Sequence, residues 1–200
     1  MLAAAPRLLR TALPRLARST STLAPGSSRD PLHPHLHYHA QPATQPSRIT
    51  LSLLPTPSSA HSRCVLGYLP PVADAGLNDF VENPRFRDVL HAAIKDGLAK
   101  GVSESVEFEA GTRPGDGFMH ITDERAIPPA GRIGETEDLI GSVYVENGKI
   151  VPSTYEPQPS YRLVTSHGVM TLPRGLDEYV VGVLREIDAA ERGEADGEQW

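Results

Sequence analysis

The residues best placed to do chemistry lie in the stretch MHITDER and just beyond it. His120 and Thr122 alternate along what reads as a short strand, so both point to one face. Asp123, Glu124 and Arg125 fall where the strand gives way to a loop, and Arg132 follows two prolines. A histidine beside a carboxylate can act as a general base, and a guanidinium can hold an anionic substrate or an oxyanion. On that pattern His120 is the candidate base, Asp123 or Glu124 its orienting partner, and Arg125 and Arg132 the anion holders. The same charges also suit ion pairs that pin an irregular loop to a sheet, and a triad is defined by geometry rather than by chain order. No catalytic residue is therefore assigned. Tyr161 and Arg162 join Arg125 and Arg132 as candidates for holding a ligand or partner, although Tyr144, Tyr155 and Tyr161 equally suit cross-strand packing.

A second constellation is PLHPHLHYHA, in which His33, His35, His37 and His39 alternate. In an extended chain all four imidazoles would share one side, and neutral imidazole is a good ligand for zinc, copper or nickel. Pro31 and Pro34 break regular pairing, however, and no carboxylate lies inside the run. Structural zinc sites also draw their ligands from separate elements. Metal handling here is the remotest of the functional readings. No cofactor is expected, since the chain has no glycine-rich dinucleotide turn after a strand, no GxSxG, no HExxH and no CxxC. The GTRPGDG run lacks the Lys-Ser/Thr pair of a phosphate-binding loop. Cys64 is the one cysteine; it excludes an intrachain disulfide and reads as a buried strand residue rather than a nucleophile.

The charge is asymmetric. Arg7, Arg10, Arg15 and Arg18 precede the first acid, Asp30, in a chain whose formal net charge is −6. Residues 1–22 combine arginines, leucines and late serines and threonines without an acid, the composition of a mitochondrial transit peptide. As a helix they would gather Leu2, Leu9, Leu13 and Leu16 opposite Arg7, Arg10 and Arg18. The expected destination is the matrix, reached through the import machinery. The remaining body is acidic enough to repel phosphate backbones, so direct nucleic-acid binding is not expected. No apolar run reaches the roughly 20 residues of a membrane-spanning helix.

These groups must be positioned by a fold, and the patterning predicts one. Residues 23–47 read as a Pro/His-rich flexible linker, residues 48–192 as a single α+β domain, and residues 193–200 as an acidic disordered tail. Strands are predicted over 48–54, 63–69, 118–122 and 139–145. Asn147-Gly148 gives the strongest hairpin signal. A second hairpin is expected from 160–165 and 169–172 around His167-Gly168, and a short strand at 105–108. Asn83-Pro84 opens a helix that Gly101 closes. Leu176, Tyr179, Val180, Val183, Leu184 and Ile187 form the apolar stripe of a second. His91 lies off the tightest part of the first helix's stripe and reads as a surface or rim residue. The expected fold is α+β, with a small antiparallel meander of two hairpins covered by two amphipathic helices.

The wording DERAIPPAGRIGETEDLIGSVYVENGKIVPSTYEPQPSYRLVTSHGV resembles an uncharacterised family of small fungal mitochondrial proteins. The resemblance implies a shared domain and supports the organelle, and it brings no activity or assigned residues. The leading expectation is a non-enzymatic mitochondrial accessory or assembly protein. It would bind a protein complex, of the respiratory chain or the mitoribosome, through a proline loop exposing Asp123, Glu124, Arg125 and Arg132. The alternative is a small cofactor-free enzyme acting on an anionic metabolite with His120 as base.

Overall fold

The computed structural model describes residues 26–41, 47–59, 61–129 and 132–197. The segment 1–22, expected to be a leader, and Trp200 lie outside the described residues. Among the described residues the fold is α+β, with three helices, a five-stranded antiparallel sheet and smaller sheets. The larger sheet is a meander of β1 (Ser27–Arg29), β2 (His37–Gln41), β3 (Arg48–Ser52), β4 (Val65–Leu69) and β5 (Val81–Glu82), in that spatial order. Then come helices α1 (Pro84–Lys100) and α2 (Glu104–Thr112). A three-stranded sheet follows, ordered β6 (Gly117–Thr122), β7 (Leu139–Glu146) and β8 (Lys149–Pro157). The two-residue strands β9 (Val164–Thr165) and β10 (Gly168–Val169) pair with each other, and α3 (Leu176–Gly197) ends the described chain.

Local signals explain several boundaries. The Asn83 side chain accepts the Arg85 N–H and donates to the Ser62 and Val65 carbonyls, so one residue caps α1 and ties it to the start of β4. Gly101 ends α1 in the left-handed region, φ 60°. Asn147 and Gly148 both have positive φ, 51° and 72°, the geometry that joins β7 to β8 by a two-residue turn. Helix α1 packs against α3, β4 and β8 and so joins both sheets around one core, in which Phe86, Leu90 and Ile94 meet Val143, Val180 and Leu184.

Four expectations need correction. The segment expected to be a flexible linker contributes β1 and β2, so the folded unit begins before residue 48. The strand expected at 105–108 is instead α2, because Val106 and Ala110, one helical turn apart, both bury. The second hairpin turns at Ser166-His167, since Thr165 pairs with Gly168, and its strands are short. The flanking amides are used elsewhere: Arg162 N–H donates to the Glu137 carbonyl and Thr171 N–H to the Asp123 carboxylate. Finally, α3 runs on to Gly197, through the start of the expected tail.

Candidate functional site

Strand alternation splits the MHITDER residues between two places. Along β6, Met119 and Ile121 bury while Phe118 and His120 face outward. Asp123 then turns inward, and its amide donates to the Asp138 carbonyl, closing the base of the proline loop. His120 and Asp123 therefore do not form a catalytic pair.

Asp123, Asp138 and Arg125 build a buried ionic clasp, with side chains 0%, 1% and 2% exposed. Arg125 Nε lies 2.8 Å from Asp138 Oδ1 and 3.6 Å from Asp123 Oδ2. Its terminal nitrogens donate to the carbonyls of Leu163 (3.0 Å), Glu137 (3.1 Å), Arg162 (2.7 Å) and Gly168 (3.5 Å). Tyr161 donates its hydroxyl to Asp123 Oδ2 at 2.8 Å, and the Arg125 guanidinium lies over the Tyr161 ring. Burial pushes the Asp123 carboxyl up, against the pull of Arg125, and pushes the Tyr161 phenol well above its ordinary value. Asp123, Arg125 and Tyr161 are thus interior structural groups, contrary to the expectation that the loop offers Asp123 and Arg125 to a partner. Glu124, Arg132 and Arg162 are exposed, as a binding role requires.

On the outer face, His120 and Arg132 share an open hollow of about 330 Å3 with Arg113, Phe118 and Ile133. His120 Nδ1 hydrogen-bonds the Ser142 hydroxyl at 2.9 Å, from directly opposite it on β7. Arg113 donates to the Phe118 carbonyl, and Phe118 meets Tyr144 edge-on. Phe108, Phe118, Ile127 and Ile133 stand 73%, 57%, 72% and 73% exposed in this region of α2, β6 and the proline loop. Sequence reasoning took no account of Arg113, Ser142 or these apolar side chains. Only alternation along β6 could have pointed to Phe118.

The four alternating histidines, weighed above only as the remotest metal reading, do not converge. His33 Nε2 bonds the Met170 carbonyl, and His35 Nε2 lies 3.2 Å from Asp177 Oδ2. His37 and His39 do share a face, with parallel rings 6.1 Å apart, yet both are buried and His39 spans Ser27 and the Leu54 carbonyl. Burial lowers both pKa values and favours the neutral rings. The set is therefore structural packing in and before an inner strand. His91, read as a surface or rim residue, is half-buried, with Nδ1 2.9 Å from the Tyr155 hydroxyl. Cys64 is fully buried, as expected, and burial raises its thiol to about 11.

A further hollow, about 660 Å3, is open and lies between the start of α1 and the 159–164 segment. Its Arg87 is already held by Glu82 and by the Tyr161 carbonyl. No helix among the described residues is long and apolar enough to cross a membrane. No family model, curated protein or solved structure matches the chain.

Proposed function

We propose that this is a non-enzymatic accessory protein of the mitochondrial matrix, which binds a protein of the respiratory chain or mitoribosome during assembly. The observation that carries the reading is the outer face of β6 and the proline loop. Phe118 and Ile133 stand in water there around one hollow, rimmed by Arg113, His120 and Arg132. Apolar groups bordered by polar ones in this way are a common mark of protein-binding surfaces. Relative to the expectation from sequence, Arg132 stays among the binding groups, Arg125 and Tyr161 leave them, and Phe118 and Ile133 join. The organelle rests on the composition of residues 1–22, and membership of a fungal mitochondrial family rests on wording alone.

The test is affinity capture from gently lysed mitochondria, using the tagged wild-type chain and a Phe118→Asp/Ile133→Asp variant that leaves the core untouched. A defined complex recovered by the first bait and lost by the second is the expected result. Recovery of both baits alone overturns the reading. In parallel, deleting residues 1–22 should abolish protease-protected import into isolated mitochondria; unchanged import removes the matrix assignment.

One arrangement favours the enzymatic alternative. His120 and two arginines share a hollow, though Arg113 takes the place expected for Arg125. Neither Asp123 nor Glu124, the expected orienting partners, lines this hollow; its carboxylate is Glu109, and His120 Nδ1 is already engaged by Ser142. Displacement of the His120 ring resonances by a panel of small carboxylates and phosphates would support this alternative over a protein partner.

A further inference from the structure

The ionic clasp is short of positive charge. Two carboxylates, Asp123 and Asp138, are 0% and 1% exposed, and the buried cation between them is the single guanidinium of Arg125. Arg125 Nε approaches Oδ1 of Asp138, leaving its Oδ2 buried and without a hydrogen-bond partner. A buried polar acceptor in that condition is costly unless a donor or a cation meets it.

Two neighbours converge on that atom. Glu135 precedes and Asp138 ends a single 3-10 turn, Thr136–Asp138, with the Asp138 amide donating to the Glu135 carbonyl. At about three residues per turn, positions three apart lie on one side. The β9–β10 turn brings in His167, whose Nδ1 sits 3.3 Å from Asp138 Oδ2. One ligand atom from each of Glu135, Asp138 and His167 falls within 4.8 Å of the others.

We propose that Glu135, Asp138 and His167 form a binding site for a divalent transition-metal ion, of which Zn2+ is the best-fitting candidate. One imidazole with two carboxylates is a donor set zinc accepts, at bond lengths of about 2.0–2.2 Å. Two donors on one tetrahedral ion at those lengths stand roughly 3.3–3.6 Å apart. The 3.3 Å between His167 and Asp138 falls there and is long for a hydrogen bond. Glu135 is exposed and closes the set by a rotamer change. With Asp123, Asp138 and Glu135 set against Arg125, a divalent ion brings the formal charge of the group to zero. Asp138 anchors the site from the interior while His167, 43% exposed, leaves it open to solvent. Three protein ligands leave a fourth position for water or a partner's side chain.

The site differs from the His-rich run and stands independently of the proposed partner surface. Zn2+ alone, titrated calorimetrically into the full chain with metal analysis of the product, should bind one equivalent at this site. Affinity should fall at least tenfold in His167→Ala and severalfold in Glu135→Gln, and should persist in His35→Ala. The first two positions are exposed, so their variants fold even if Asp138→Asn, which disturbs the clasp, does not. Absence of binding by wild type overturns the proposal, as does equal binding by wild type and His167→Ala. If His167 instead neutralises Asp138 as an imidazolium, Zn2+ leaves its ring resonances unmoved and chelator leaves the thermal midpoint unchanged; that pair of results also overturns it.

Discussion

Replacing Arg125 with alanine should nearly abolish the folded state. The side chain is 2% exposed and bridges two carboxylates that are themselves 0% and 1% exposed. Breaking a buried ion pair by removing one partner costs about 3–5 kcal/mol, because the remaining charge stays buried. Four carbonyls also lose a charged donor, at 2.7, 3.0, 3.1 and 3.5 Å. An acceptor left unsatisfied costs about 1–3 kcal/mol, less where water can replace the donor, as at the exposed Arg162 and Gly168 positions. The sum is at least about 5 kcal/mol, comparable with the roughly 5–15 kcal/mol that holds a domain together. Arg125→Lys keeps the charge without the planar fork and should lose less. Tyr161→Phe removes one bond to Asp123 and should cost about 1.5–3 kcal/mol. Urea unfolding followed by circular dichroism ranks the three variants. An Arg125→Ala variant within 1 kcal/mol of wild type, on the order of one ordinary hydrogen bond, would refute the clasp as a structural element.

Four further outcomes follow from single residues. His91 is held neutral, its pKa drawn from 6.5 to about 4 mainly by burial. Between those values the unfolded chain binds a proton that the folded chain does not, so this contribution is complete above pH 6.5 and lost as pH falls toward 4. The loss is at most about 3 kcal/mol and roughly 2 after solvent screening of a partly exposed ring; parallel stability–pH slopes for wild type and His91→Phe would contradict it. Cys64, fully buried with its thiol raised to about 11, should resist thiol reagents at pH 8 until the protein unfolds; labelling at the rate of a free thiol would show it accessible. Gly175→Ala should destabilise by more than about 2 kcal/mol, since φ is +91° and a Cβ there runs into the Val102 carbonyl. Gly182→Ala, in mid-helix with open space around it, should stabilise by about 0.5–1 kcal/mol, so thermal midpoints moving in the same direction would be wrong for one of the pair.

What was legible in the sequence was local. Asn83, Pro84 and Gly101 specify the ends of α1 through their own backbone chemistry, and Asn147-Gly148 specifies the β7–β8 turn. The stripe of α3 needed no knowledge of its partner, because one buried face imposes its period. β2 was illegible because its inward positions carry His37 and His39 rather than aliphatic residues. Their polar atoms find partners far from any helical or strand pattern: His39 bonds the Leu54 carbonyl and His37 the His35 carbonyl. Arg125 was misread for a related reason. Its charge is visible in the sequence, but its acceptors lie 12 to 43 residues downstream and converge only after three segments meet. Asp138 carried no signal beyond an acidic turn before a strand.

The clasp and the proposed partner surface belong to the two ends of one loop. Asp123 and Asp138 close its base through a 2.9 Å backbone bond, where Thr122 already pairs with Leu139. Arg132 and Ile133 lie between those ends. Fixing the two ends of the segment that carries Arg132 and Ile133 before a partner arrives lowers the entropic cost of recognition. Charge at the base therefore bears on binding at the tip. A cation held by Glu135, Asp138 and His167 ties the base of the loop to the β9–β10 turn, so it should slow amide exchange across that base. Exchange at Asp123 and Asp138, compared with and without Zn2+, measures that coupling directly. Equal rates would mean that Arg125 alone sets the loop and that any metal is a passenger on it.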